Sequence, residues 1–337
     1  MAVKTMREAL NEALHLEMAR DPRVILLGED IAGGAGGSSG TRDAAGGVFG
    51  VTGGLIGKFG AKRVIDTAIS ESCIVGMANG AALAGLRPVA ELMFADFVGV
   101  AFDQIYNQMA KFRYMFGGKA RAPVVLRMAM GAGMNAAAQH SQTIYPLLTA
   151  IPGLKVVTPS TPGDAKGLLL QAIRDDDPVI FLEHKALYSK KGEVPEGDYT
   201  IPFGEAALLR EGRDVTVVAI ARMVSFAEKA IDKLAAEGIT CDLIDLRTTS
   251  PLDEESILES LSQTGRLVVV DESNPYCSVA SEIAGLAARK GFHSLRAPVQ
   301  CVTAPHTPVP FARELERLYV PSPARIEAAI RDVLQGA

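Results

Sequence analysis

Hydrophobic positions along the chain fall into short continuous apolar runs separated by stretches of helical spacing. "RVILLG" (Arg23 to Gly28), "RVID" (Arg63 to Asp66), "RPVAELM" (Arg87 to Met93), "APVVLRM" (Ala122 to Met128), "LKVVTP" (Leu154 to Pro159) and "PVIFLEH" (Pro178 to His184) read as strands. Helical patterns fill the gaps, notably from Phe97 to Phe116 and from Pro162 to Arg174, and the opening "MAVKTMREALNEALHLEMARD" reads as one amphipathic helix. Continuous apolar strands alternating with helices predict a parallel sheet covered on both faces. Residues 191–204, rich in Gly, Pro and charge, interrupt the pattern and read as a linker. The alternation then restarts with "DVTVVAIA" (Asp214 to Ala221), "CDLIDLR" (Cys241 to Arg247), "RLVVVDE" (Arg266 to Glu272) and "PVQCVTA" (Pro298 to Ala304). The expected fold class is α/β, with two parallel-sheet domains at 1–190 and 205–337.

Composition narrows the function. A length of 337 residues suits two domains, and 48% hydrophobic residues with a net charge of −5 describe a globular, slightly acidic chain. No basic block points to nucleic acid, and no apolar stretch is long enough to cross a bilayer. The N-terminus lacks the apolar core of a signal sequence. Cys73, Cys241, Cys277 and Cys301 are scattered without CxxC spacing, which predicts reduced thiols in a cytoplasmic protein. No GxSxG, HExxH or GxxxxGK[ST] motif is present, so serine-acyl, zinc-peptidase and P-loop chemistry are not expected.

Three features remain as candidate chemistry. Glu71 opens a helix made unusually small by Gly76, Ala78, Gly80, Ala81, Ala82, Ala84 and Gly85. A first-turn acid capped by Ser70 is an ordinary arrangement. The helix propensity lost to so many glycines nevertheless implies that a neighbour or flat ligand approaches closely. His140, in the small-residue stretch "GAGMNAAAQHSQ", is placed on a loop that could hold an imidazole for proton transfer, although a structural role fits the residues equally. The segment from Gly28 to Gly60 holds 13 of the 33 glycines without a GxGxxG that opens a helix, and reads as an active-site loop as readily as a nucleotide site.

The order of "DTAISES" (Asp66 to Ser72), "GLRPVAELMFADF" (Gly85 to Phe97), "AFDQIYNQMAKFRY" (Ala101 to Tyr114), "AAAQHSQ" (Ala136 to Gln142), "IPGLKVVTPSTPGDAKGLL" (Ile151 to Leu169), "AIRDDDPVIFLEHKALY" (Ala172 to Tyr188) and "DLRTTSPLD" (Asp245 to Asp253) is distinctive. The chain resembles β-subunits of the thiamine-diphosphate-dependent first component of 2-oxoacid and acetoin dehydrogenase complexes, over nearly its whole length. The resemblance implies a thiamine-diphosphate pyrimidine-binding domain followed by a transketolase C-terminal-like domain. It implies that Glu71 hydrogen-bonds N1′ of the aminopyrimidine and favours the tautomer that ionises the thiazolium carbon. Phe97 matches the aromatic packing on that pyrimidine, and His140 the histidine of proton transfer and reductive acylation. Ala68 departs from the family, which usually has Pro there.

Further expectations follow from the resemblance. The GDG motif with which the family grips Mg²⁺ and diphosphate is missing, so an α-subunit must supply it, in an α2β2 assembly that serves a lipoyl-bearing dihydrolipoamide acyltransferase. Main-chain carbonyls of Val124, Ala172, Ile173, Asp175 and Asp177 match a potassium site in relatives. The long "AGGAGGSSGTRDAAGGVFGVTGGL" segment and "RTTSPLD" look like acetoin dehydrogenase β-subunits, which cleave acetoin to acetaldehyde and pass on an acetyl group. Pyruvate and branched-chain 2-oxoacids are the alternative substrates. A non-catalytic scaffold that docks the acyltransferase core is the alternative of another class, disfavoured because Glu71, Phe97 and His140 are all present.

Overall fold

The computed structural model describes residues 1–33 and 46–336, which divide into two compact units. The first comprises residues 1–130 and 147–203, the second 131–146 and 204–337. Part of the glycine-rich insertion, residues 34–45, lies outside the described residues.

The chain opens with a strand, β1 (Ala2–Thr5), followed by α1 (Met6–Arg20). The single N-terminal helix expected from the pattern therefore starts late. Thr5 ends it, because its side chain accepts from the Glu8 N–H while the Glu8 carboxylate accepts from the Thr5 N–H, a reciprocal cap. The first unit continues with β2 (Val24–Gly28), α2 (Leu55–Phe59), β3 (Val64–Asp66), α3 (Glu71–Leu83), β4 (Arg87–Phe94), α4 (Phe112–Met115) and β5 (Val125–Met130). The chain passes through α5 (Tyr145–Thr149) to β6 (Lys155–Val157), α6 (Pro162–Arg174), β7 (Val179–His184) and β8 (Lys191–Val194). Six of these strands form a parallel sheet in the order β6-β7-β5-β4-β2-β3. The strands β2, β5 and β7 are buried throughout, as continuous apolar runs require.

Helix α1 lays Met6, Leu10, Leu14 and Met18 into this core and packs on α6. Glu17 shares that buried stripe at 0% exposure, which is tolerable because Arg20 and Arg174 both donate to it.

Two expectations are corrected. The stretch from Phe97 to Phe116 is not one helix. A 3₁₀ turn (Ala95–Gly99) leads to a π-helical turn (Gln104–Met109), in which the Ala110 N–H reaches the Ile105 carbonyl, and then to α4. The Gln104 carbonyl is drawn out of the helix by the Asn79 side-chain amide at 2.9 Å, which accounts for the local rewinding. The expected linker is largely packed structure. Strand β8 pairs antiparallel with β1, the Tyr199 hydroxyl donates to the Gly163 carbonyl, and Tyr199 and Ile201 lie so close to α6 that any Cβ at Gly167 would approach them within 2.9 Å.

The second unit contains β9 (Ala207–Arg210), β10 (Val215–Ala219), α7 (Arg222–Ala235), β11 (Cys241–Asp245), β12 (Thr248–Ser250), α8 (Glu254–Thr264), β13 (Leu267–Asp271), α9 (Val279–Lys290), β14 (Gln300–Thr303), α10 (Arg313–Tyr319) and α11 (Pro323–Gln335). Its sheet runs β14-β13-β10-β11-β9, parallel except for the edge strand β9. The strand pattern missed β9, whose short apolar run "ALLR" is largely exposed at the sheet edge, unlike the buried strands. Residues 131–146 group with this second unit although they fall within the stretch 1–190 read as the first domain.

Candidate active site

Open parallel sheets bind ligands beyond the carboxyl ends of their strands, where helix N-termini and loops converge. Glu71 stands at such a place, as the first residue of α3 after β3. Ser70 occupies the N-cap position, but its side chain makes no capping bond, so the simple capping explanation for this pair fails. The Glu71 carboxylate is half-buried and makes no hydrogen bond or ion pair among the described residues. On the turn just before it, the buried Thr67 hydroxyl also has no partner. Unspent polar atoms at a helix N-terminus are available to a ligand.

Sequence reasoning overlooked Glu29, at the carboxyl end of β2. Burial first, then the negative charges of Asp30 and Glu71, raise its carboxyl above the usual range. Glu29 thus sits at the sheet's carboxyl edge within electrostatic reach of both Asp30 and Glu71. The signal was legible as an acid pair directly after an apolar strand.

Phe97 lies in the 3₁₀ turn after β4 and is half-buried. A run of ring contacts leads to it from the core. Phe49 stacks on Tyr188 at 4.9 Å, meets Phe94 edge-on at 5.7 Å, and Phe94 meets Phe97 edge-on at 5.7 Å. The ring of Phe97 is therefore steadied from one side by packed aromatics.

Beneath this edge lies a buried charge network that the sequence pattern did not reveal as a unit. Arg127 on β5 donates to Glu91 on β4 at 2.6 Å and, with two nitrogens, to Glu183 on β7 at 2.7 and 2.8 Å; the Tyr188 hydroxyl also donates to Glu183 at 2.7 Å. Glu91 and Arg127 are register neighbours on adjacent strands. Burial opposes the Arg127 charge, but the Glu183 and Glu91 carboxylates outweigh it and keep the guanidinium protonated. Burial also raises the Glu91 carboxyl. The available clue was a charged residue, Glu91, Arg127 or Glu183, inside each of three mostly apolar strands.

His140 lies in the second unit's segment 131–146, half-buried, whereas Glu71 and Phe97 belong to the first unit. The carbonyls proposed for potassium lie in the first unit near the end of α6. There Arg87 donates to the carbonyls of Ile173 at 3.0 Å and Asp175 at 2.9 Å, the Asp175 N–H reaches the Ala172 carbonyl, and the Val179 N–H reaches that of Val124. Asp177 accepts from Arg113 through its side chain, leaving its carbonyl aside. Among the described residues, no cluster of His, Cys, Asp or Glu side chains has the arrangement of a metal site, and no helix is long and apolar enough to cross a membrane.

The residues of the first unit fit the pyrimidine half of thiamine diphosphate. Among the described residues, a carboxylate without a hydrogen-bond partner and an orphaned hydroxyl in one connection match a polar, hydrogen-bonding heterocycle, and a braced phenyl ring offers it a face.

Comparisons with known proteins show the family. A family profile described as "Transketolase, pyrimidine binding domain" matches residues 2–191, and one described as "Transketolase, C-terminal domain" matches residues 204–326. The chain is 59% identical to the acetoin:2,6-dichlorophenolindophenol oxidoreductase subunit beta of Cupriavidus necator, over 98% of each chain. It is 54% identical to the protein of the same name in Bacillus subtilis, over 98% of this chain and 97% of that one. It is 42% identical to the 2-oxoisovalerate dehydrogenase subunit beta of Bacillus subtilis, over 99% and 100%. A solved structure titled "Split gene transketolase, inactive beta4 tetramer" shares the fold with a TM-score of 0.78 at 24% identity, covering 98% of both chains. The chain therefore belongs to the family of β-subunits of thiamine-diphosphate-dependent acetoin and 2-oxoacid dehydrogenases, built of a transketolase-type pyrimidine-binding domain and a transketolase-type C-terminal domain.

Proposed function

We propose that this chain is the β-subunit of a cytoplasmic, thiamine-diphosphate-dependent acetoin dehydrogenase that works with an α-subunit as α2β2. In this reading it cleaves acetoin to acetaldehyde and delivers an acetyl group to a lipoyl-bearing acyltransferase, whose disulfide takes up the two electrons. The observation that carries the chemistry is the Glu71 carboxylate at the N-terminus of α3, which makes no hydrogen bond or ion pair among the described residues.

When bound, the cofactor supplies the nucleophilic carbon and the electron sink. Glu71 holds a proton at N1′ of the aminopyrimidine from the first turn of α3. Phe97 packs against the pyrimidine and excludes water from it. His140 exchanges a proton with the substrate oxygen during cleavage and acyl transfer. The α-subunit holds Mg²⁺ and the diphosphate, since this chain has no GDG motif. Carbonyls of Val124, Ala172, Ile173, Asp175 and Asp177 bind K⁺. The carbonyls of Ile173 and Asp175 already attract the Arg87 guanidinium, and each keeps a second lone pair for a cation.

Acetoin is neutral, so its pocket has no carboxylate to pair. Met128 to Gln139 contains no cationic side chain, and the cation just before it, Arg127, is already held by Glu91 and Glu183. The 59% and 54% identities to acetoin-oxidising subunits, against 42% to a 2-oxoisovalerate dehydrogenase subunit, support the same choice. A reconstituted αβ enzyme assayed with a dye acceptor should prefer acetoin to pyruvate and 2-oxoisovalerate. An oxoacid that exceeds acetoin tenfold in kcat/KM, about 1.4 kcal/mol in transition-state preference, overturns the substrate assignment.

A further inference from the structure

The segment that carries His140 is fastened at both ends to the second unit. At its start, the Ala132 N–H donates to Glu272 at 2.7 Å, and the Ala132 carbonyl accepts from Arg222 at 2.9 Å. At its end, the Thr143 hydroxyl meets the same Glu272 oxygen at 3.4 Å, and the buried Tyr145 hydroxyl donates to Asp271. A bond from the Gly131 N–H to the Gln142 carbonyl closes the loop.

Glu316 grips the loop between these ends. From α10, its carboxylate accepts the Gly133 N–H at 2.8 Å and the Asn135 N–H at 3.0 and 3.2 Å, while the residue is only 3% exposed. Asn135 and Ala137 adopt left-handed backbone angles, with φ of 55° and 60°, without being glycine. Such angles persist only where surrounding contacts over-determine them. A left-handed turn also points successive N–H groups into one concavity that attracts an anion. Here the anion is the chain's own Glu316, about 180 residues further along the sequence, and α10 thereby sets the path of the backbone leading to His140.

We infer that Glu316 is a positioning residue for His140: its carboxylate organises the turn at Gly133 to Ala137 and so aims the imidazole for proton transfer. This inference rests on the role proposed for His140.

The test is a double-mutant cycle in the reconstituted αβ enzyme, with kcat and KM measured for Glu316→Gln, His140→Ala and the double variant. Glutamine keeps the shape but sets an amide N–H₂ against a backbone N–H. The expected result is a 10- to 100-fold fall in kcat with KM within threefold, and less than a twofold further fall when Glu316→Gln is added to His140→Ala. Equal losses in both backgrounds mean that Glu316 serves stability alone, which overturns the inference while the His140 role stands. A normal kcat for His140→Ala removes the His140 role itself, and with it anything for Glu316 to position. If Glu316→Gln fails to assemble, Glu316→Asp, which keeps the charge but withdraws it from the turn, runs through the same cycle with the same criteria.

Discussion

Replacing Glu71 by glutamine preserves the side chain's size and its place at the N-terminus of α3, but removes the carboxyl proposed to hold a proton at the cofactor. Since this carboxylate makes no bond within the described residues, its loss should leave folding and αβ assembly intact. Cofactor C2 hydrogen–deuterium exchange in the reconstituted enzyme should fall by ~2–4 decades, the range of a general acid–base contact. Exchange at the wild-type rate would remove Glu71 from its assigned role. At this scale the sequence was informative where a residue's type conflicts with its surroundings. Glu71 stood out because it precedes a helix of little else but small residues. Glu316 did not stand out, since one acid among "RELERLY" resembles any solvated helical charge, and only the fold brings it to the turn near His140.

Where α1 ends and β2 begins, Asp21 supplies a test of pH dependence. The Arg23 guanidinium, which bonds it at 2.7 and 3.0 Å, outweighs its burial and holds the carboxyl down at about 2, against 3.8 for the free side chain. A depressed folded-state pKa contributes stability above the unfolded value, and that contribution is lost as pH falls through the folded one. The shift corresponds to at most ~2.5 kcal/mol at 1.36 kcal/mol per unit, and the exposure of Arg23 reduces this to roughly 1–2 kcal/mol. Asp21→Asn should therefore lower stability by that amount at pH 6, and the difference should shrink between about pH 4 and pH 2 in parallel denaturant titrations. The far end of α6 supplies a second test. If carbonyls at this helix end hold K⁺ as proposed, the assembled enzyme should melt higher in K⁺ than in tetramethylammonium at equal ionic strength. Equal melting temperatures would count against the potassium site. Among elements, buried strands were the most legible, because an apolar run in a covered sheet has few other readings. The π-helical turn at Gln104–Met109 was invisible, since it arises from a bond donated by Asn79, 25 residues earlier.

For the whole molecule, the central expectation is incompleteness: one chain carries the pyrimidine-binding residues and lacks the diphosphate and Mg²⁺ motif. Calorimetry on the isolated chain should detect no tight, Mg²⁺-dependent binding of thiamine diphosphate, whereas the αβ mixture should show it. Tight binding by the chain alone would refute the division of the site between two subunits. The sequence by itself determined the α/β class and the order of the buried strands, because hydrophobic burial is local enough to be written in runs and periods. It also determined the family, through the ordered motifs from Asp66 to Asp253. Only the tertiary structure decided that residues 131–146 group with the second unit, that residues 191–203 pack on the first, and that Arg127 pairs with both Glu91 and Glu183. Each of these is a pairing between residues distant along the chain. Its energy comes from hydrogen bonds and charges brought together by folding, and no hydrophobic period along the sequence encodes which distant partner a polar group will meet.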